Sequence, residues 1–232
     1  MKKSTLFSVL TLLVLIPATL FLGTHLKGRW YYLTSTLVIL EAMLPFFLVF
    51  EARRPQAREL VILAVMAALA VAGRVAIPIP NFKAVTGIIM ITGMAFGPQA
   101  GFMTGAISAF ASNFFYSQGP WTPWQMLSYG MAGFLAGVLF YGKDRKNPWL
   151  DNAIKTVFAF VAVVLAVGPL LDACTIFTTG SKLSWKFVFA VLASGFPHNV
   201  THGLSCAVTV LLLNKPLLSK LNRLKTKYGM LQ

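Results

Sequence analysis

Long apolar runs alternate with short polar breaks along the whole chain. A helix rises about 1.5 Å per residue, so about 20 residues cross the ~30 Å of hydrocarbon in a bilayer. On that measure the pattern predicts eight spans, at residues 6–22, 31–50, 58–76, 84–96, 100–116, 125–141, 153–172 and 187–213. The breaks between them are GTHLKGR, EARRPQAR, PIPNFK, FGPQ, SQGPWTPW, YGKDRKNPWLDN and TTGSKLSWK, and each holds Pro, Gly or charge. Those residues end helices or require water. The fourth span is short and is separated from the fifth by only FGPQ. A hairpin of that size is expected inside the bundle, where neighbouring helices supply the backbone partners that lipid lacks. The first run follows Lys2 and Lys3 but leads into LFLGTHLKG, with no small-x-small cleavage pattern, so a retained span is expected.

Composition makes this an all-α polytopic membrane protein. Hydrophobic residues make up 57% of the chain and charged ones 11%, with a mean hydropathy of +0.73. Twenty basic and six acidic side chains cannot cover 232 residues with a polar shell, and lipid asks for none. The net charge of +14 does not mark a nucleic-acid binder, because the basic residues sit in the breaks rather than in one stripe. With the N-terminus inside, fourteen lysines and arginines fall on inner segments. Six fall outside: Lys27, Arg29, Arg74, Lys83, Lys182 and Lys186. That bias predicts cytoplasmic N- and C-termini. Trp30, Trp121, Trp124, Trp149 and Trp185 all fall at predicted span ends, as interfacial rings do. Cys174 and Cys206 lie in separate apolar contexts and read as small buried hydrophobes.

Three helices carry small residues on one face. Ala64, Ala68 and Ala72 recur every four residues, as do Gly101, Gly105 and Ala109, while Gly130, Gly133 and Gly137 share a third face. Small side chains let helix backbones approach closely in lipid. The glycine faces are expected to pack internally, whereas the smooth alanine face also suits helices of another subunit.

Polar residues concentrate in three places. The outer loop RVAIPIPNFK, residues 74–83, is held extended by Pro78 and Pro80 and carries Asn81, Phe82 and Lys83. It reads as a lid whose cation answers a carboxylate, phosphate or amide, or as a solvated turn. Residues 111–130 cluster Asn113, Tyr116, Gln118, Thr122 and Gln125 with Trp121 and Trp124 around stiffening prolines, which resembles a small-molecule mouth. In the last span, GFPHNVTHG places His198 about 18 Å from the outer end, with Asn199 beside it and His202 one turn further on the same side. Such groups line a cavity floor or bond neighbouring helices. No third ligand accompanies the two histidines, so no metal site is expected. Among the acids, Asp172 contacts solute or pairs with Lys182, Glu41 pairs inside the bundle or sits protonated, and Glu59 is a surface ion.

At these residues the chain resembles the substrate-binding S component of energy-coupling factor (ECF) vitamin transporters. The resemblance runs from Arg58 to Tyr141 and is most specific in FGPQAGFMTGAISAFASNFFYSQGPWTPWQ. It implies a six-helix core at residues 58–213, preceded by two additional transmembrane helices in 1–50 and followed by a basic cytoplasmic tail, 214–232. It also implies a membrane coupling subunit and two cytoplasmic ATPases as partners, with a micronutrient taken from outside. Ala64 and Ala68 match the family's AxxxA contact with the coupling subunit. Asn81, Gln118, Trp121, Trp124 and Gln125 fall in or beside the loops that shape its pocket. No GxxxxGK[ST] sequence occurs, so ATP hydrolysis is expected on the partners, and no cofactor is expected. Two rivals remain. One is a self-contained secondary transporter, for which no inverted repeat is found. The other is an intramembrane enzyme pairing Ser128 or Ser194 with His198 or His202.

Overall fold

The computed structural model describes residues 14–16, 18–19, 30–143, 145–179 and 184–229. These form helices and connecting turns, with no strand among them. Seven helices follow one another: α1, Trp30–Ala52; α2, Ala57–Val75; α3, Val85–Phe96; α4, Pro98–Tyr116; α5, Thr122–Phe140; α6, Pro148–Thr178; and α7, Trp185–Tyr228. Of the predicted first span, 6–22, only residues 14–16 and 18–19 are described. The other seven spans each fall on one helix.

Local chemistry sets several of these ends. Pro98 and Pro148 sit at the first helical positions, where a missing N–H costs nothing. Asn147 caps α6, its Oδ1 accepting from the backbone N–H groups of Trp149 and Leu150 at 3.0 and 3.3 Å. Ser184 does the same for α7 through Phe187 N–H at 3.2 Å. Gly97, at φ 91°, turns α3 directly into α4, a conformation that a side chain at Cβ would strain.

All twelve residues of α3 are buried, as expected of a helix too short to span lipid and packed within the bundle. It lies among α2, α4, α5 and α7. The glycine faces seat α4 on α5 backbone to backbone. A Cβ at Gly133 would stand 2.5 Å from the Gly101 carbonyl carbon, and one at Gly137 would stand 2.5 Å from the Pro98 nitrogen. On α1, Phe46 stacks on Phe102 of α4, with ring centroids 4.0 Å apart. Its Glu41 accepts a 2.7 Å hydrogen bond from Thr19. Outward-facing positions such as Val61, Val65, Leu165 and Leu212 are 60% or more exposed, which suits lipid rather than water. Helices α6 and α7 are each long and apolar enough to cross a bilayer.

Two helices differ from their predicted bounds for physical reasons. Helix α6 contains a π-helical turn, Val163–Val167, directly before Gly168 and Pro169. Proline cannot bond or fit against the turn before it, and a widened turn accommodates it. Helix α7 does not stop at residue 213. Leu217, Leu218 and Leu221 keep packing on the core, and Lys225 Nζ donates to Tyr141 Oη at 3.0 Å and to the α3 carbonyl of Ala95 at 3.4 Å. The last turns of the described chain are therefore a packed helix. Lys155, one of the fourteen basic residues counted on inner segments, is buried and paired with Asp151 at 2.5 Å. Trp149 and Trp185 are largely exposed, as interfacial rings are. Trp124 is buried instead and stacks on Phe177 with centroids 5.6 Å apart.

Candidate functional site

At one end of the bundle, opposite the packed end of α7, a cavity of about 450 Å³ opens beneath the 76–84 loop. The loop contributes Pro78, Pro80, Asn81 and Lys83 to its wall. Helices α4 and α5 add Tyr116, Gln125 and Tyr129, α6 adds Leu171 beyond the π turn, and α7 adds His202. Arg74, in the last turn of α2, completes the lining.

Arg74 organises one wall. It is 9% exposed. Its Nη1 donates to Asn113 Oδ1 at 3.0 Å and to Ser112 Oγ. Its Cζ lies 4.9 Å from the ring centroid of Tyr116 and 5.6 Å from that of Tyr129, both within cation–π range. Tyr116 Oη in turn donates to the Arg74 carbonyl at 2.9 Å. Asn113 is fully buried and passes the network on, its Nδ2 donating to Thr122 Oγ1 at 3.0 Å and to Gln125 Oε1 at 2.8 Å. That places Gln125 at the cavity wall with its carbonyl already engaged.

The opposite wall joins the loop to α7. Asn81 adopts φ 57°, and its Nδ2 donates to His198 Nδ1 at 3.0 Å. Ser205 Oγ donates to the Lys83 carbonyl at 2.7 Å, and Lys83 Nζ donates to the Ile77 carbonyl within the loop. His202 Nε2 is 2.6 Å from Thr86 Oγ1, at the start of α3, and its ring meets Tyr129 edge-on at 6.0 Å. The loop is thus tied to α7 at Asn81 and at Lys83.

The sequence-derived site residues divide accordingly. Asn81, Lys83, Tyr116, Gln125 and His202 meet at the cavity, and Asn113 stands directly behind it. His198 is exposed and acts from outside, as the loop's tether. Phe82 is half-buried in the same loop but is not part of the lining. Asn199 is buried and donates to Asp172 Oδ2 at 2.7 Å, bracing α7 against α6. Gln118 is exposed and closes its own turn, donating to the Phe110 carbonyl at 3.0 Å and accepting from Thr122 at 2.9 Å. Trp121 packs over Gly119, and Trp124 faces Phe177, so neither ring lines the cavity. The wall residues not marked as binding groups in the sequence are Arg74, Tyr129 and Leu171, with Ser112 and Thr86 behind them. Arg74 had a signal: it continues the buried stripe Leu63, Met66, Ala67, Ala70 of α2, so it turns inward and is not a solvated loop cation. Ser194 and Ser128 donate to their own helix backbones, at Val191 and Trp124. Neither pairs with a histidine among the described residues.

On the flank of the bundle, a second, apolar groove of about 480 Å³ runs between α2 and α4. Ala64, Ala68 and Ala72 are exposed along it, with Val71, Ile107 and Phe115.

A family model described as the S component of the ECF-type riboflavin transporter matches residues 55–219. The chain belongs to this family. No curated protein and no solved structure matches it. The ECF S-component match covers α2 through most of α7, so it includes every residue of the cavity wall and of the alanine groove. Membership makes the chain a membrane-embedded, substrate-binding subunit of a transporter.

Proposed function

We propose that this S component captures a flavin-class vitamin from outside the cell, in the cavity beneath the 76–84 loop. It then delivers the vitamin by docking its α2–α4 groove on a membrane coupling subunit driven by two cytoplasmic ATPases. The single observation that carries the reading is the convergence of Arg74, Lys83, Asn81, Gln125 and two tyrosines on one cavity under a loop tied down at Asn81 and Lys83. Tyrosine faces suit a fused ring, and the surrounding amides and cations suit its carbonyls and side chain. About 450 Å³ lies within the range of pockets for drug-sized ligands, which favours a single fused-ring vitamin over a corrinoid.

The orientation follows from charge. Lys215, Lys220, Arg223, Lys225 and Lys227 crowd the C-terminal end of α7, at the pole opposite the cavity. The positive-inside bias puts that pole, and with it the C-terminal end of α7, in the cytoplasm, so the cavity faces outward. At the flank, Ala64, Ala68 and Ala72 present methyl groups only, so a partner helix can pack closely and slide without displacing large side chains.

Uptake of labelled riboflavin into proteoliposomes tests the reading, using this chain with and without the coupling subunit and ATPases. Uptake is expected only in the full assembly and with ATP inside. The Ala68→Trp variant is expected to bind riboflavin yet fail to transport it. Uptake by the chain alone would instead mark a secondary transporter.

A further inference from the structure

Two cations face the cavity, and no carboxylate is present in its lining. Among the described residues neither Arg74 nor Lys83 forms an ion pair. Asp172, on the neighbouring turn of α6, accepts from Asn199 instead. Arg74 satisfies only Nη1 with protein acceptors, both neutral, which leaves the rest of its donor fork without a protein partner among the described residues. Lys83 uses one bond, to the Ile77 carbonyl, and leaves the remaining donors of its ammonium without a described partner.

Both charges also lean on the same ring. The Arg74 guanidinium carbon lies 4.9 Å and the Lys83 nitrogen 5.8 Å from the Tyr116 centroid. Two like charges beside one ring repel each other, and withdrawing them from water without a counter-ion is unfavourable. Arginine is rarely as buried as Arg74, at 9% exposure, unless a partner completes it. A forked guanidinium and a point-charge ammonium together are also the pair of groups that recognises an oxyanion.

We propose that the solute carries a negatively charged group, a carboxylate or a phosphate monoester, which seats between Arg74 and Lys83 while its ring lies against the tyrosines. This rests on the assignment of the cavity as the vitamin site and adds the charge of its occupant. The anion supplies the absent counter-charge, and its entry links α2 to the loop that carries Lys83. Capture and loop closure then become one event.

The test compares dissociation constants of riboflavin and riboflavin 5′-phosphate for the purified full-length protein, in wild type and in Lys83→Gln. The variant keeps an amide donor and removes the charge. The phosphate ester is expected to bind at least about tenfold more tightly to wild type, with the preference falling toward unity in Lys83→Gln. Thermal unfolding confirms that both proteins are folded. Arg74→Lys serves as a second variant, keeping the charge and losing the fork, and should weaken the preference without abolishing it. Equal binding of the two flavins, or a preference that survives Lys83→Gln, overturns the charge assignment and leaves the vitamin site standing. Failure of both flavins to bind overturns the site and the charge assignment together. A lipid phosphate offers the same chemistry, so phosphatidylglycerol is added in a parallel titration. Displacement of the flavin phosphate by stoichiometric lipid would make the cations a headgroup site and also overturn the proposal.

Discussion

Asn113→Asp is the sharpest probe of the cavity, because it changes charge while nearly keeping shape. The Asn113 carbonyl oxygen already accepts from Arg74 at 3.0 Å, so a carboxylate at this position meets the guanidinium directly. At ~4 Å and an effective dielectric near 20, that attraction is about 4 kcal/mol. Against it stand a desolvation cost of several kcal/mol for the buried carboxylate and the loss of two neutral hydrogen bonds. Those bonds, to Thr122 and Gln125, contribute about 0.5–1.5 kcal/mol each. The terms largely cancel, so stability should change by less than about 2 kcal/mol. Binding should not cancel in the same way. A solute anion ~6 Å from the new carboxylate is repelled by about 3 kcal/mol at the same dielectric, which is roughly a hundredfold in affinity. Water in the cavity screens part of this, so the loss for riboflavin 5′-phosphate should exceed the loss for riboflavin by at least about tenfold. Flavin fluorescence quenching on the purified variant measures both constants, and thermal unfolding supplies the stability. Equal losses for the two flavins would refute the electrostatic reasoning, because burial and shape would then explain the effect without charge.

Gly133→Val should destabilise the bundle by more than about 3 kcal/mol, since even a Cβ there would stand 2.5 Å from the Gly101 carbonyl carbon; a shift in unfolding temperature in detergent reads it, and an unchanged midpoint would contradict the close α4–α5 contact. His198→Ala removes one exposed hydrogen bond to the loop, worth about 0.5–1.5 kcal/mol, so stopped-flow chase should show solute leaving roughly two- to tenfold faster. An unchanged off-rate would mean that the tether does not hold the lid. Ala68→Trp fills the exposed groove and should leave solute affinity within about twofold, because surface substitutions away from buried groups shift energies by ~0.5 kcal/mol, while abolishing uptake by the full assembly. Lost binding with assembly intact would refute that division of labour.

Periodicity revealed the architecture because lipid imposes it. Seven predicted spans became helices, and the short run at 84–96 gave a buried helix, since a segment that cannot cross hydrocarbon must find protein partners. The glycine faces were equally legible, because backbone contact admits no side chain. The candidate site was only partly so. The loop carrying Asn81 and Lys83 was readable from its paired prolines, and His202 from a polar side chain at membrane depth. Arg74 escaped because a charge near a helix end resembles a loop charge unless the helix is followed one turn further along its buried stripe. Trp121 and Trp124 misled in the opposite sense. Aromatic rings near a polar turn look the same in sequence whether they face a ligand, a glycine or another ring, and only tertiary packing separates these cases. The continuation of α7 past Asn214 was hidden because charged exposed residues alternate with the leucines that hold it to the core.

Transport by this route requires a small organic solute to occupy the cavity at the loop-covered pole. Native mass spectrometry of the protein, purified gently from cells supplied with flavins, measures this directly. A single flavin should be retained per chain in wild type and lost in Gln125→Leu, which removes a wall amide and the bond it accepts from Asn113, with thermal unfolding confirming that the variant is folded. A chain that carries no small molecule, or one whose bound mass is unaffected by Gln125→Leu, would contradict it.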